Sequence, residues 1–199
     1  MTEREKAAAG YLYSPYESDL VDDRNKCCDL CFEYNSLKPS DAEGQRKIIK
    51  KLINDQHNTA ILTAPFWCDY GYNITVGKNF YCNRNLVVLD EAKVTVGDNV
   101  FIAPHCCIST AGHPIDSEQR NTGIEIALPV TIGNNVWIGA NVTVLPGVTI
   151  GDNVVIGAGS LVNKNIPSNV VAGGNPCKVI RSITEEDKGK YKFYEVKKI

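Results

Sequence analysis

Residues 132–167 read IGNNVW, IGANVT, VLPGVT, IGDNVV, IGAGSL and VNKNIP, six consecutive hexads in one phase. Their first positions are Ile132, Ile138, Val144, Ile150, Ile156 and Val162. Their fifth positions are Val136, Val142, Val148, Val154, Ser160 and Ile166. The fourth positions, Asn135, Asn141, Gly147, Asn153, Gly159 and Asn165, carry the physics, because Asn and Gly accept a left-handed backbone at low cost. A chain that turns every six residues, with two inward apolar sites per turn, winds into a coil of short strands. Three such faces close a triangular prism of about 18 residues per coil, its parallel strands stacked at about 4.8 Å.

The same phase runs through VGDNVF, IAPHCC and ISTAGH (96–113), with Asn99 and His105 at the corners and Ala111 the one miss. An earlier block, VGKNFY and CNRNLV from Val76, is offset by two residues and turns at Asn79 and Asn85. Val88–Lys93 is a weak hexad, and Val94-Thr95 reads as a two-residue insertion. After His113 the pattern stops until Ile132. Residues 114–131 are therefore expected to be thrown out from the prism as a loop, and such loops in compact repeats carry function.

Composition agrees with a narrow core. Val21 is the only valine before Val76, thirteen of the 16 glycines lie from Gly71 to Gly174, and Trp137 stands alone among aromatics between Ile102 and Lys190. The chain has 199 residues, 43% hydrophobic and 22% charged, with a formal net charge of −2. That bounds it to one domain with a real core and gives no basic face for nucleic acid or membrane. There is no 18-residue apolar run and no apolar leader, so a cytoplasmic protein is expected.

The segment 1–57 reads as short amphipathic helices that pack on the coil. Thr2–Glu5 and Ser40–Glu43 both fit a capping box. Between them Leu20, Cys27, Cys28, Leu30, Cys31 and Tyr34 recur at helical spacing, Leu37-Lys38-Pro39 breaks the run, and Ile48, Ile49, Leu52 and Ile53 supply a second stripe. The coil is expected over 58–183, with a tail at 184–199. Eight cysteines without a leader read as reduced thiols. Cys28-x-x-Cys31 has zinc-like spacing but lacks a second pair.

His113 is the histidine that position singles out. It sits at a sixth hexad position, which alternation turns outward, and Gly112 and Pro114 fix its backbone. A surface histidine at a loop entrance is the competing reading. His105 occupies a corner, and His57 lies in the polar link after the helices.

The chain resembles the hexapeptide-repeat acyltransferases, and within them the maltose and galactoside O-acetyltransferases. The strings that carry the likeness are CDYGYNI (68–74), NFYCN (79–83), VGDNVFIAPH (96–105), GHPID (112–116), the hexads of 129–162 and VAGGNPCKVI (171–180), with a helical start ending in AAAGYLY. The resemblance implies a mainly β fold, a left-handed parallel β-helix with a small N-terminal α-helical segment. It implies acetyl-CoA as co-substrate, no required metal, and a homotrimer with active sites between subunits.

It also implies roles. His113 would be the general base, since a histidine's ordinary pKa of about 6.5 suits proton removal at neutral pH. The Ala140 N–H would hold the oxyanion, and Asn83 would orient the attacking oxygen. The acceptor would meet Glu17, Arg24, Asp69, Tyr81, Asn83 and Glu91. Asp69 and Glu91 differ from the residues of the galactoside enzymes, and CDYGYNI leans toward the maltose branch. Acetyl-CoA would lie along Trp137, Ala140, Ala158 and Asn163, with Lys164, Lys178 and Arg181 at its phosphates. Trp137 also reads as a subunit contact. The loop 114–131 would reach over a neighbour's site.

Other readings share the coil. One is a relative acting on a galactoside, an oligosaccharide, an antibiotic or an amine. A second is a zinc hydratase like the γ-type carbonic anhydrases, which needs three converging histidines. A third is a noncatalytic scaffold.

Overall fold

The computed structural model describes residues 1–191. Three helices come first: α1 (Glu3–Ala8), α2 (Ser18–Ser36) and α3 (Ala42–Leu52). The capping box expected at Thr2–Glu5 forms. The second start is one residue later than expected: Asp41, not Ser40, caps α3, its carboxylate accepting from the Gly44 N–H at 2.9 Å.

The rest is a three-faced prism of parallel strands. The first face stacks Asn54–Asp55, Ile74–Val76, Val94–Val96, Val130–Ile132 and Thr149–Ile150. The second runs from Ile61–Leu62 through Tyr81–Cys82, Phe101–Ile102, Trp137–Ile138 and Val155–Ile156 to Val170–Gly173. The third stacks Phe66–Cys68, Leu86–Leu89, Cys107–Ser109, Thr143–Val144 and Leu161–Val162. The coil thus begins at Asn54, ahead of the boundary read at residue 58.

Hexad positions map onto the prism as the periodicity requires. Every first and fifth position from Ile132 to Ile166 is buried. Nine of the ten corner residues read from the sequence, from Asn79 to Gly159, have φ between 52° and 79°. The corner asparagines also bond each other: Asn79 Nδ2 donates to Asn99 Oδ1 at 2.9 Å, and Asn99 Nδ2 to Asn135 Oδ1 at 3.1 Å. Beside them runs a second ladder, in which Asp98, Asn134, Asp152 and Ser168 each accept a backbone N–H from the coil before. These side chains satisfy donors that a corner would otherwise strand.

Asn165 is the tenth corner residue and fails. The left-handed residue is Asn169, at φ 63°. Register explains the shift. Thr131 pairs with Thr149, eighteen residues on, but Val155 pairs with Val171, sixteen on. The last coil is two residues short, so Ile166 bridges Ile150 while Asn165 Oδ1 accepts the Thr149 N–H at 2.8 Å. The early coils are two residues long instead: Tyr81 pairs with Phe101, twenty on. Their surplus sits at the corner around Asp69–Asn73 and Asp90–Lys93, not at Val94-Thr95, since Val94 pairs in the first face and is buried.

The helices cover the open end of the prism. Along α2, Cys27, Cys31 and Tyr34 are buried against the first coil. The Tyr34 hydroxyl donates to the Leu62 carbonyl, and Asn35 both donates to the Phe66 carbonyl (3.0 Å) and accepts its N–H (2.8 Å). An exposed sheet edge is thereby capped. At the far end Lys178–Ser182 folds back antiparallel on Val170–Gly173. The expected tail falls partly outside the described residues: Glu185–Asp187 forms a single 3-10 turn, and 192–199 are not described. Among the described residues no helix is long and apolar enough to cross a membrane.

Candidate active site

The chain leaves the prism earlier than expected. Thr110 is still in the coil, its N–H donating to Leu89 O, and Leu128 re-enters it by donating to Thr110 O at 2.8 Å. The extruded segment is therefore a hairpin rooted at Ala111, not a loop over 114–131. Its stem pairs Ala111–Gly112 antiparallel with Ile126–Ala127, and Ser117–Arg120 (α4) makes one helical turn capped by Asp116. Arg120 Nη1 donates to the Pro114 and Ile115 carbonyls, which holds the tip, where Ile115 is 97% exposed. His113 accordingly stands at the end of the stem and not at a coil position.

The returning strand fixes the histidine. His113 Nδ1 lies 3.1 Å from the Ile124 carbonyl oxygen. A carbonyl only accepts, so Nδ1 carries the proton in the neutral ring and Nε2 keeps its lone pair. The Glu125 carboxylate stands 4.0 Å from Nε2. Glu125 is itself held: Oε2 accepts the Tyr13 hydroxyl at 2.6 Å, and the Tyr13 and Glu125 backbones exchange two 3.0 Å hydrogen bonds. Burial, and then the bond to Glu125, push the Tyr13 hydroxyl well above the usual tyrosine range, so it stays a donor.

The enlarged corner below the hairpin carries the other acids. Glu91 accepts weakly from Thr110 Oγ1 at 3.4 Å and bonds with Asp69; burial first, and that bond second, raise it to about 9. Glu91 therefore carries its proton at neutral pH. Arg24 lies over the Tyr70 ring, 5.7 Å from its centroid, donates to the Tyr70 hydroxyl at 2.5 Å and to the Pro15 carbonyl at 2.6 Å. Glu17 is exposed at the start of α2 and makes no capping bond.

Asp90 anchors this corner from inside. It is fully buried, and Oδ1 accepts the N–H groups of Asp69 (3.0 Å) and Tyr70 (2.9 Å), while Oδ2 has no partner. Burial is the main cause that raises it from 3.8 to about 7, against the pull of those backbone donors. The folded state thus holds this proton more tightly than the unfolded chain. Its stabilisation is complete below about pH 4 and is lost as pH rises towards 7. Asp90→Asn keeps the acceptor and removes the titration. The variant is expected to melt with a flatter pH dependence between pH 4 and 7, and at a higher temperature than the parent at pH 8; parallel melting curves across that range would exclude the linkage.

The remaining predicted residues gather at a different corner. Tyr81, Asn83, Phe101, Ile102, Ala103 and Trp137 line an open groove of about 430 Å3 on the second face. Trp137 is 55% exposed, as its hexad position requires. Asn83 Oδ1 accepts the Arg84 N–H at 2.8 Å. Ala140 sits one position past the same corner, two coils along, and among the described residues no backbone carbonyl takes its N–H. The acceptor set read from the sequence is thus split. Asp69, Glu91, Arg24 and His113 share one corner, whereas Tyr81 and Asn83 share another with Trp137 and Ala140.

This arrangement matches known proteins along nearly its whole length. Residues 6–55 match the maltose acetyltransferase hexapeptide capping motif, and residues 129–164 the bacterial transferase hexapeptide of six repeats. The galactoside O-acetyltransferase of Escherichia coli is 47% identical, over 98% of this chain and 96% of its own. The crystal structure of a maltose O-acetyltransferase from Clostridium difficile 630 superposes with a TM-score of 0.90 at 47% identity, over 93% of this chain and 99% of that one. The chain belongs to the maltose and galactoside O-acetyltransferase family. A galactoside acetyltransferase solved in complex with coenzyme A matches this acetyltransferase over 100% of both chains, at TM-score 0.91 and 44% identity.

Towards the last coils the acetyltransferase exposes Ala158, Asn163, Lys164 and Lys178. Arg181 is exposed too but engaged, making two 2.8 Å bonds to Asp187, whose carboxyl it holds down at about 2. The three histidines do not converge. His105 serves a corner at φ 62° with Nε2 3.4 Å from Asn85 Nδ2, and His57 is exposed in the link. Among the described residues no histidine belongs to a group of three or more metal-ligand atoms.

Sequence reading missed Glu125, Tyr13, Tyr70 and Asp90. A signal for Glu125 existed in the alternation Ile124-Glu125-Ile126, a strand pattern inside the supposedly patternless gap.

Proposed function

We propose that the acetyltransferase moves an acetyl group from acetyl-CoA to a hydroxyl of a maltose- or glucose-type sugar, with His113 as general base. The observation that carries this reading is the bond from Nδ1 to the Ile124 carbonyl, which leaves Nε2 free to take a proton. Nε2 removes the hydroxyl proton as the sugar oxygen attacks the thioester carbonyl. Glu125, at 4.0 Å, stabilises the imidazolium that forms. The Ala140 N–H holds the tetrahedral oxyanion, and Asn83 orients the attacking oxygen. Collapse expels the coenzyme A thiolate, which takes the proton back from His113. The thioester is already activated, so no metal is required.

The acceptor corner suits a polyol. Asp69 and Glu91 accept hydroxyl protons, Glu91 when protonated also donates one, and Arg24 is preset by Tyr70 and Pro15. Glu17 and Tyr81 are proposed as outer contacts. Acetyl-CoA is assigned to the Trp137 groove, running past Ala140, Ala158 and Asn163 to Lys164 and Lys178 at its phosphates; the relative solved with coenzyme A supports the co-substrate itself. Arg181 reaches a phosphate only by exchanging Asp187 for it. The assembly proposed is a homotrimer with sites between subunits. All eight cysteines are free, which supports a reducing, cytoplasmic location.

The test is free-thiol release from acetyl-CoA with maltose, glucose, galactosides and simple amine-bearing antibiotics as acceptors. Maltose or glucose is expected to give the highest kcat/KM. A galactoside preferred over both would move the acetyltransferase to the other branch of its family, and release that no sugar stimulates would refute sugar transfer.

A further inference from the structure

Three buried thiols meet where α2 packs on the first coil. Cys27 and Cys31 are four residues apart on the inward stripe of α2, and Cys68 ends the strand Phe66–Cys68 beneath them. Cys68 Sγ lies 3.5 Å from Cys27 Sγ and 3.8 Å from Cys31 Sγ, and all three sulfurs lie within 4.8 Å of one another. Their exposures are 3%, 0% and 4%. Among the described residues this is the one group of three or more Cys, His, Asp or Glu atoms so arranged. Nothing in acetyl transfer uses it.

We propose that Cys27, Cys31 and Cys68 form a three-sulfur site for a soft monovalent metal ion, Cu(I). The triangle has the right size. A thiolate bond to a closed-shell first-row ion is about 2.3 Å, which places three trigonal sulfurs about 4 Å apart. Two separations, 3.5 and 3.8 Å, fall just short of that value and the third lies within 4.8 Å, so an ion fits close to the plane of the sulfurs with little movement of the helix. The ligand count selects the ion. Structural zinc takes four ligands, whereas the cluster offers three soft sulfurs and no carboxylate or imidazole. Thiolates favour Cu(I), which accepts low coordination.

Charge sets the protonation. Three thiolates on one Cu(I) would bury two net negative charges, which a dry interior opposes. Two thiols therefore lose their protons to solvent, the third binds as a neutral thiol, and no electron moves. Cys28 gives a path inward. It is exposed on the same helix, next in sequence to Cys27, and can take Cu(I) from a small-molecule thiol carrier by ligand exchange.

Bound copper would pin α2 to the prism. Reduced protein, handled without oxygen, is titrated with Cu(I) against a chromophoric Cu(I) chelator. One equivalent per chain is expected to resist the chelator, with three sulfurs at about 2.3 Å by copper-edge X-ray absorption. Cys31→Ser and Cys68→Ser are each expected to lose that equivalent, and Cys107→Ser, on the outer surface of the third face, to keep it. Surrender of all copper to the chelator overturns the site, as do two sulfur ligands or full retention by both serine variants. Preferential retention of Zn(II) overturns the choice of ion. Where the variants fail to fold, the parent decides: one equivalent of Cu(I) raises its Tm, and an unmoved Tm refutes binding.

Discussion

Replacing His113 by alanine is expected to lower acetyl transfer by about 10²–10⁴-fold while leaving the fold intact, the range of a positioned general base. That is about 3–5 kcal/mol of transition-state stabilisation. The ring is half exposed, at 53%, on the end of a hairpin stem, and its one hydrogen bond reaches the hairpin's own backbone. Removing it opens no cavity in the prism, so melting should be unchanged. His113→Gln is the sharper control. A glutamine amide can still donate to the Ile124 carbonyl, but it has no lone pair that takes a proton at neutral pH. If the histidine only braced the hairpin, glutamine would restore activity and alanine would not. If it is the base, both lose kcat alike, with little change in KM for acetyl-CoA. Turnover close to the parent's in both variants would remove His113 from the chemistry.

The prism was legible because its constraint is local. Each corner needs a left-handed residue every six positions, and Asn135, Asn141 and Asn153 announce it in composition and spacing together. The same local signal misled at Asn165. A coil shortened by two residues puts an asparagine where the period predicts a corner, yet its side chain caps the Thr149 N–H and the turn moves to Asn169. Ala111, the one miss in the corner series, marked the point where the chain leaves the coil, three residues before the departure inferred from His113.

The site was legible only in part. His113 and Trp137 stand out against a uniform repeat. Glu125 is placed by pairing with Tyr13, across more than a hundred residues, and no local pattern encodes that contact. The thiol cluster shows the same limit. The spacing Cys28-x-x-Cys31 draws the eye, but on a helix the four-residue pair Cys27 and Cys31 shares the buried face and Cys28 turns outward. The third sulfur, Cys68, arrives from another element.

Activity is expected to reappear when His113→Ala and Asn83→Ala chains are assembled together. The reason lies in the split acceptor set. His113 and the acids Asp69 and Glu91 stand at one edge of the third face, whereas Asn83 and the Trp137 groove stand at the other. Between Asn83 and Glu91 runs the strand Leu86–Leu89, whose four residues alone span about 13 Å. A proton and a thioester carbonyl must meet within hydrogen-bond reach, so one chain does not close the reaction on itself. In the proposed homotrimer a neighbouring prism, packed beside the hairpin, would supply the missing edge. Every site would then draw His113 from one chain and Asn83, Trp137 and Ala140 from the next. Random assembly of equal amounts of the two variants makes about one quarter of sites fully native, and another quarter doubly defective. Each variant alone should retain only a residue of activity, because loss of a fixed polar donor costs about 10²–10³-fold and loss of the base about 10²–10⁴-fold. The mixture is therefore expected to exceed both by more than tenfold, and to approach about one quarter of the parent rate. Co-expression with two affinity tags isolates the mixed trimers, and dilution until they dissociate should abolish the recovered activity. Mixed assemblies no more active than the separate variants would place the whole reaction within one chain. The Asn83 corner would then have to be reached by the hairpin folding across the third face, against the Tyr13–Glu125 pairing that holds it at the other edge.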